Sequence, residues 1–271
     1  ADTTLTDAGN ILFSSTVDGG FALTIVNSGT GDVTFTDAVG GTTALTGLTI
    51  TTDVLTAAAI KSTGTLSVTN GGASSITGII SNGTSALAVT KAGIGTLTLS
   101  GANTYTGKTI INAGIITLGA NNVMPDTSEV VLANTAGVAL NVNGKTDTIG
   151  SLSGGGTTGG NITLGTSGAL TVNQFTFGDF AGVISGDGSF TKSSYGVLKL
   201  SSVNTYTGAT AVTGGDLIIK INGGIPNTAL SLTGTSRLLL LQSGLSLDVG
   251  TLSGEAGALA WLYPNSTLTI N

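Results

Sequence analysis

Along the whole chain, apolar and polar residues alternate one for one over short stretches. Leu97 and Leu99 alternate with Thr96, Thr98 and Ser100, and Leu198 and Leu200 with Lys199 and Ser201. Val33 and Phe35 alternate with Thr34 and Thr36 in the same way. A period of two puts the apolar set on one face of an extended strand and the hydroxyls on the other. Between the strands lie clusters that turn the chain tightly: Asp18-Gly-Gly20, Asn70-Gly-Gly72, Gly101-Ala-Asn103, Asn143-Gly144, Gly186-Asp-Gly188 and Asn222-Gly-Gly224. Helical periodicity is absent. Only Leu55-Thr-Ala-Ala-Ala-Ile60 has the composition for a helical turn, and the threonines around it oppose one. The spacing predicts an all-β protein of many short strands.

Those strands belong to a longer repeat. Lys91-Ala-Gly-Ile-Gly-Thr-Leu-Thr-Leu-Ser-Gly-Ala-Asn-Thr-Tyr-Thr-Gly107 returns 101 residues later as Lys192-Ser-Ser-Tyr-Gly-Val-Leu-Lys-Leu-Ser-Ser-Val-Asn-Thr-Tyr-Thr-Gly208. Met124-Pro125 pairs with Ile225-Pro226, Ile149–Gly154 with Val249–Gly254, and Leu170–Asn173 with Leu268–Asn271. Self-similarity held this long in register indicates stacked units rather than a globule with one central site. Short strands with tight turns suit an antiparallel sandwich or a parallel solenoid. The long linear repeat, the scarcity of Asn-Gly hairpin turns between matched strands and the recurring lone Asn and Gly favour the solenoid. Coils of about 20–25 residues give about a dozen coils and a rod about 55–60 Å long. Residues 1–75 read as a variant first section. Residues 76–177 and 178–271 read as two related sections of one continuous rod.

Composition narrows the function. Charged residues make up 8% of the chain, against about 25% in ordinary soluble proteins, so the surface must be built from Thr, Ser and Asn. The net charge of −6 and the single Arg, Arg237, leave no footprint for nucleic acid or for anionic lipid. With no Cys and no His there is no disulfide framework, thiolate chemistry, His-based triad or imidazole zinc site. No apolar run reaches the roughly 18 residues of a membrane span; Leu238-Leu-Leu-Leu241 is core-strand length. Ala1-Asp-Thr-Thr lacks the basic and apolar regions of a signal peptide, so the chain is expected to be processed or part of something longer.

The stretch Lys91–Gly107, followed by Thr109-Ile-Ile-Asn-Ala-Gly114, resembles the autotransporter-associated β-strand repeat: a leading Lys, then Gly-x-Gly-x-Leu-x-Leu-Ser-Gly-x-Asn-Thr-Tyr-Thr-Gly. Gly78-Ile-Ile-Ser81 and Gly182-Val-Ile-Ser185 resemble its lead-in. Gly9–Phe13, Gly29–Phe35 and Leu45–Leu48 resemble a second repeat type of hemagglutinin-like surface proteins. The resemblance implies a right-handed parallel β-helix from a secreted passenger region. The second copy departs from the pattern, with Ser202 where the first has Gly101, and Ser193-Ser-Tyr195 where it has Ala92-Gly-Ile94. Those changes bear on the local turn, not on the fold. A C-terminal membrane barrel, which a whole autotransporter carries, has no counterpart up to Leu268-Thr-Ile-Asn271.

Candidate chemistry is thin. Asn103 and Tyr105, with Asn204 and Tyr206, fit a corner in which Asn bonds the backbone and the Tyr ring packs along the rod. An outward Tyr would instead offer a platform for sugars. The simpler corner is preferred because the motif occurs in both copies. A glycoside hydrolase needs paired carboxylates within about 5–10 Å. Asp179 with Asp187 and Asp32 with Asp37 are the pairs to weigh, and Asp187 and Asp32 read as turn residues. Gly186-Asp187-Gly188 lacks the tandem repetition of a calcium-binding nonapeptide. Phe175, Phe177, Phe180, Phe190 and Tyr195 are expected to stack in the core, the alternative being a binding surface. Trp261 and Tyr263 are expected to cap the rod or to lie under a further coil. No catalytic, cofactor-binding or metal-binding residue is assigned. The expected role is a non-enzymatic adhesin or structural stalk, extracellular or at the bacterial cell surface. Its expected partners are host-cell or glycan surfaces, the remainder of a longer chain, or other copies end to end. An extracellular filament or surface layer built by rod stacking is the alternative, and a polysaccharide-active enzyme the third reading.

Overall fold

The computed structural model describes residues 1–226 and 228–271. The chain winds as a parallel β-solenoid of thirteen coils, with no helix among the described residues. Its first face is a thirteen-stranded parallel sheet that runs without a break from Thr3–Asp7 to Leu259–Leu262. A second face is built mainly by nine strands from Ile11–Phe13 to Ile184–Ser185, and Ser246–Val249 and Thr267–Ile270 extend it. A third carries Ile60–Ser62 with Ile80–Asn82, then six strands from Thr146–Ile149 to Thr251–Gly254. The stretch 55–60, where a helical turn was conceivable, instead enters strands Leu55–Ala57 and Ile60–Ser62.

Alternation fixes which way each residue points. In Thr96–Leu99 the two leucines are buried and the two threonines half-buried, and register continues this inward column: Leu97 lies opposite Ile116, and Leu99 opposite Leu118. Each fully buried aliphatic side chain contributes roughly 1.5–3 kcal/mol. In the first coils Phe13 stacks flat on Phe35, with ring centroids 4.6 Å apart.

Corners need small or left-handed residues because backbone runs directly under backbone. Gly93 has φ 72°, and a Cβ there would lie 2.3 Å from the Asn70 carbonyl oxygen. Both departures of the second copy are absorbed at such corners. Ser194, at the place of Gly93, keeps φ 64°. Ser202, at the place of Gly101, turns its hydroxyl to the Ala181 carbonyl at 2.6 Å.

The two long repeats do not occupy the same faces. The thirteen first-face strands begin between Thr3 and Leu259, so a coil averages about 21 residues, and 101 residues make about four and two-thirds coils. The second copy is therefore displaced by one face. Lys91 lies on a first-face strand and Lys192 on a third-face strand; Leu97 lies on the second face and Leu198 on the first. The Asn-Thr-Tyr corner of the first copy interrupts the third face above Ile80, where the Thr104 amide donates to the Ile80 carbonyl. That of the second copy interrupts the second face above Ile184, where Thr205 donates to the Ile184 carbonyl.

Candidate functional site

The repeated motif builds a corner from the inside. Lys91 and Lys192 are fully buried. Lys91 Nζ donates to the carbonyls of Ala92, Gly93 and Ala113 at 2.6, 2.7 and 3.2 Å. Lys192 Nζ donates to those of Ser194, Gly196 and Gly214 at 2.7, 2.5 and 2.6 Å. Each ammonium gathers the inward carbonyls of two successive corners, and of these the Gly196 carbonyl also accepts the Asp216 amide. Burial pushes both amines down to about 8.

Asn103 Oδ1 accepts the Ile80 amide at 2.7 Å, and its Nδ2 donates to the Val123 carbonyl at 2.9 Å. Asn204 repeats both bonds, to Ile184 at 2.7 Å and Gly224 at 2.6 Å. Each Asn thus carries the hydrogen-bond ladder across a coil that has no strand on that face. The Tyr105 and Tyr206 hydroxyls bond Thr109 and Thr210, each at 2.6 Å. Both rings are wholly buried, and burial pushes both phenols above their ordinary range. These tyrosines hold the corner, and the sugar-platform alternative for them falls.

Asp147, absent from the sequence reading, completes the first corner. It is fully buried and accepts the Val123 amide at 2.6 Å and the Met124 amide at 3.2 Å. Burial raises its carboxyl to about 6 against the opposing pull of those amides. The second copy places buried Leu247 there. The signal was an inward parity shared with Ile149, at a position that is Leu in the other copy.

Outside, the rod is a lattice of small polar groups. Thr34, Thr56, Ser75, Thr98, Thr117, Asn141, Thr163 and Ser185 stand in register on consecutive coils of the second face. Thr4, Thr24, Thr49, Ser67 and Thr90 form a matching row on the first. Consecutive members are about 4.8 Å apart.

The carboxylate pairs separate. Asp179 points outward from first-face strand Phe177–Phe180, ion-paired to Lys199. Asp187 sits in the turn between the second and third faces of the same coil. Asp32 and Asp37 flank opposite ends of strand Val33–Phe35, about 16 Å apart along an extended chain. Neither arrangement is a paired-carboxylate cleft. A cavity of about 350 Å³ opens beside Asn204, between Val203, Ile225 and Asp248.

The expected aromatic stack holds only in part. Phe180 and Phe190 are buried, and Phe190 lies against Tyr206 at 6.1 Å. Phe175, Phe177 and Tyr195 are 37%, 63% and 77% exposed, because residue 175 and residue 195 fall at corner tips and residue 177 has outward strand parity. Trp261 and Tyr263 are also exposed.

Residues 89–118 and 190–219, which contain the two buried lysines and the two Asn-Thr-Tyr corners, match the model of the passenger-associated-transport-repeat. A stretch of 115 residues, 40% of the chain, is 32% identical to the Adhesin BmaC autotransporter of Brucella suis biovar 1 (strain 1330). That stretch covers 3% of the adhesin, so the chain spans only a small part of its length. No solved structure matches the chain. Motif, fold and family model agree on two stretches that match the passenger-associated-transport-repeat, wound into one β-solenoid and set on neighbouring faces of it.

Proposed function

We propose that the chain is a segment of a bacterial autotransporter passenger, displayed at the cell surface or released from it, that works as a stiff adhesive stalk without catalysis. The observation that carries this reading is the pair of passenger repeats built into an unbroken parallel rod. Similarity to a protein named as an adhesin supports the adhesive part. The outer surface suits it too: long registered rows of Thr, Ser and Asn give many weak polar contacts, and few charges bias the choice of surface. The candidate carboxylates stand apart on different sides of a coil, which favours display over glycosidic cleavage.

The test is to coat inert beads with the purified chain and count attachment to cultured epithelial cells beside albumin-coated beads. Saturable attachment that free chain competes away is expected. Attachment no better than albumin's would remove the adhesive role and leave the rod as a spacer.

A further inference from the structure

Away from the exposed Trp261 and Tyr263 of the last coil, three aromatic side chains stand together on the outside of the rod. Phe175 and Tyr195 occupy the tips of successive corners between the third and first faces, with ring centroids 5.9 Å apart and planes inclined by 62°. Phe177 begins the adjoining first-face strand, facing out. The corner before Phe175 is the single residue Gly150, between Thr146–Ile149 and Ser151–Gly154. The corner after Tyr195 is Thr213-Gly214-Gly215, between Thr210–Val212 and Asp216–Ile219. Corners poor in side chains bracket the two rings, which therefore project.

The fold does not require them. In the first copy the Gly95 amide donates to the Asn70 carbonyl at 2.9 Å; in the second, the Gly196 amide donates to the Gln174 carbonyl at 2.8 Å. The two corner pairs share that bond and the register that follows it, Leu97 opposite Ser74 in the first copy and Leu198 opposite Gly178 in the second. Where the second copy has Phe175 below Tyr195, the first has Gly71 below Ile94. One backbone arrangement is thus made with and without aromatic rings, so the rings answer to something beyond the corner.

Beside Phe177, Asp179 and Lys199 face outward on neighbouring coils as an ion pair, and Asp179 Oδ1 accepts the Ser201 hydroxyl at 2.9 Å. Lys199 Nζ lies 6.0 Å from the Phe177 ring centroid. The pair has no net charge, yet it offers a fixed acceptor and a fixed donor at the edge of the rings. Wholly covered, each ring buries about 150–250 Å². Three partly exposed rings fall well short of the about 800 Å² per partner of a stable protein interface.

We propose that Phe175, Phe177 and Tyr195 form a stacking platform for an uncharged sugar ring of a glycan, a neutral hexose or N-acetylhexosamine unit, whose hydroxyls bond Asp179 and Lys199. The apolar C–H face of a pyranose suits the electron-rich ring faces, and its hydroxyls suit a paired donor and acceptor. A compact, locally neutral site matches one or two sugar units better than a sialylated or sulfated chain, which would call for unpaired cations. The proposal rests on the adhesive reading and names its ligand class.

The experiment uses the whole chain and a variant whose corner the molecule already builds elsewhere: Phe175→Gly with Tyr195→Ile, the residues of the first copy. Both proteins are titrated with neutral hexose and N-acetylhexosamine oligosaccharides, and with a sialylated set, under saturation-transfer NMR and calorimetry. Unmodified chain should bind neutral sugars saturably. The variant should keep its melting temperature and lose affinity at least about tenfold, as the loss of two stacking rings implies. No saturable binding by the unmodified chain, equal binding by the variant, or preference for sialylated sugars would overturn the proposal. Bead attachment separates it from the adhesive reading. Cells bound equally by chain and variant would keep adhesion and remove the platform from it. Neutral sugars bound without any cell attachment would keep the platform and remove adhesion. Attachment lost in the variant with no sugar bound would make the patch a protein contact and overturn the glycan proposal.

Discussion

Buried charge is the telling feature at the scale of single residues. A chain with so few charged residues buries Lys91, Lys192 and Asp147 completely, all three bonded to backbone at corners. Lys91→Met should leave three carbonyls without their donor and cost roughly 3 kcal/mol or more, read from the urea midpoint. Asp147 gives a pH signature. Its folded carboxyl keeps its proton to about pH 6, whereas an unfolded aspartate releases it near 3.8. Folding therefore takes up a proton in that window. The contribution is fully present below about pH 3.8 and is lost as pH rises through about 6, a change of roughly 3 kcal/mol. Asp147→Asn keeps an acceptor for Val123 and Met124 and should flatten this slope in melts run from pH 3.5 to 7. The lysines act at the alkaline end. Folded, they release protons near 8, and unfolded near 10.5, so stability should rise with pH between those values.

Strand faces were legible at the scale of elements because period two leaves little freedom once one face is buried. Leu97 is fully buried and Thr98, its neighbour, points out. Leu97→Asp should destabilise by several kcal/mol, roughly the cost of a buried unpaired carboxylate, and Thr98→Asp by under about 1 kcal/mol. Equal melting of the two would refute the facing. The same parity was available for Asp147 and Phe177 and would have sent the first inward and the second outward. Density of aromatic residues along the sequence hid the outward position of Phe177, because proximity in sequence is not a shared face when the chain turns between neighbours. Phe175 and Tyr195 lie at corner tips, where alternation says nothing. Their exposure follows from how corners stack, a long-range property. The inward Lys91 was equally hidden: a lone Lys beside glycines reads as solvated, and only three carbonyls converging from two coils explain it.

The displacement of the second repeat by one face is a property of the whole rod. Linear self-similarity revealed that there were repeats and how far apart they lay. It could not reveal rotation, since that depends on the length of every intervening coil. One consequence is that the two Asn-Thr-Tyr interruptions never fall on one face, and the first face keeps an unbroken ladder of thirteen strands. Coupling between coils is then nearest-neighbour throughout, and local stability should follow how well each coil is covered. Coverage differs sharply along the rod. Thr3–Asp7 and Leu259–Leu262 are exposed at every residue, whereas central strands such as Ala88–Ala92 and Thr96–Leu99 alternate buried with half-buried positions. Hydrogen exchange followed by mass spectrometry should show amides of the central coils protected to near the global unfolding free energy. Those of the first and last first-face strands should exchange through local fraying, orders of magnitude faster. Adding urea below the main transition should accelerate the central amides and leave the outer ones nearly unchanged, because only central exchange requires exposing the core. Uniform protection from Thr3 to Leu262, with one common urea dependence, would show that the rod opens as a single cooperative body and that neighbour-by-neighbour coupling does not describe it.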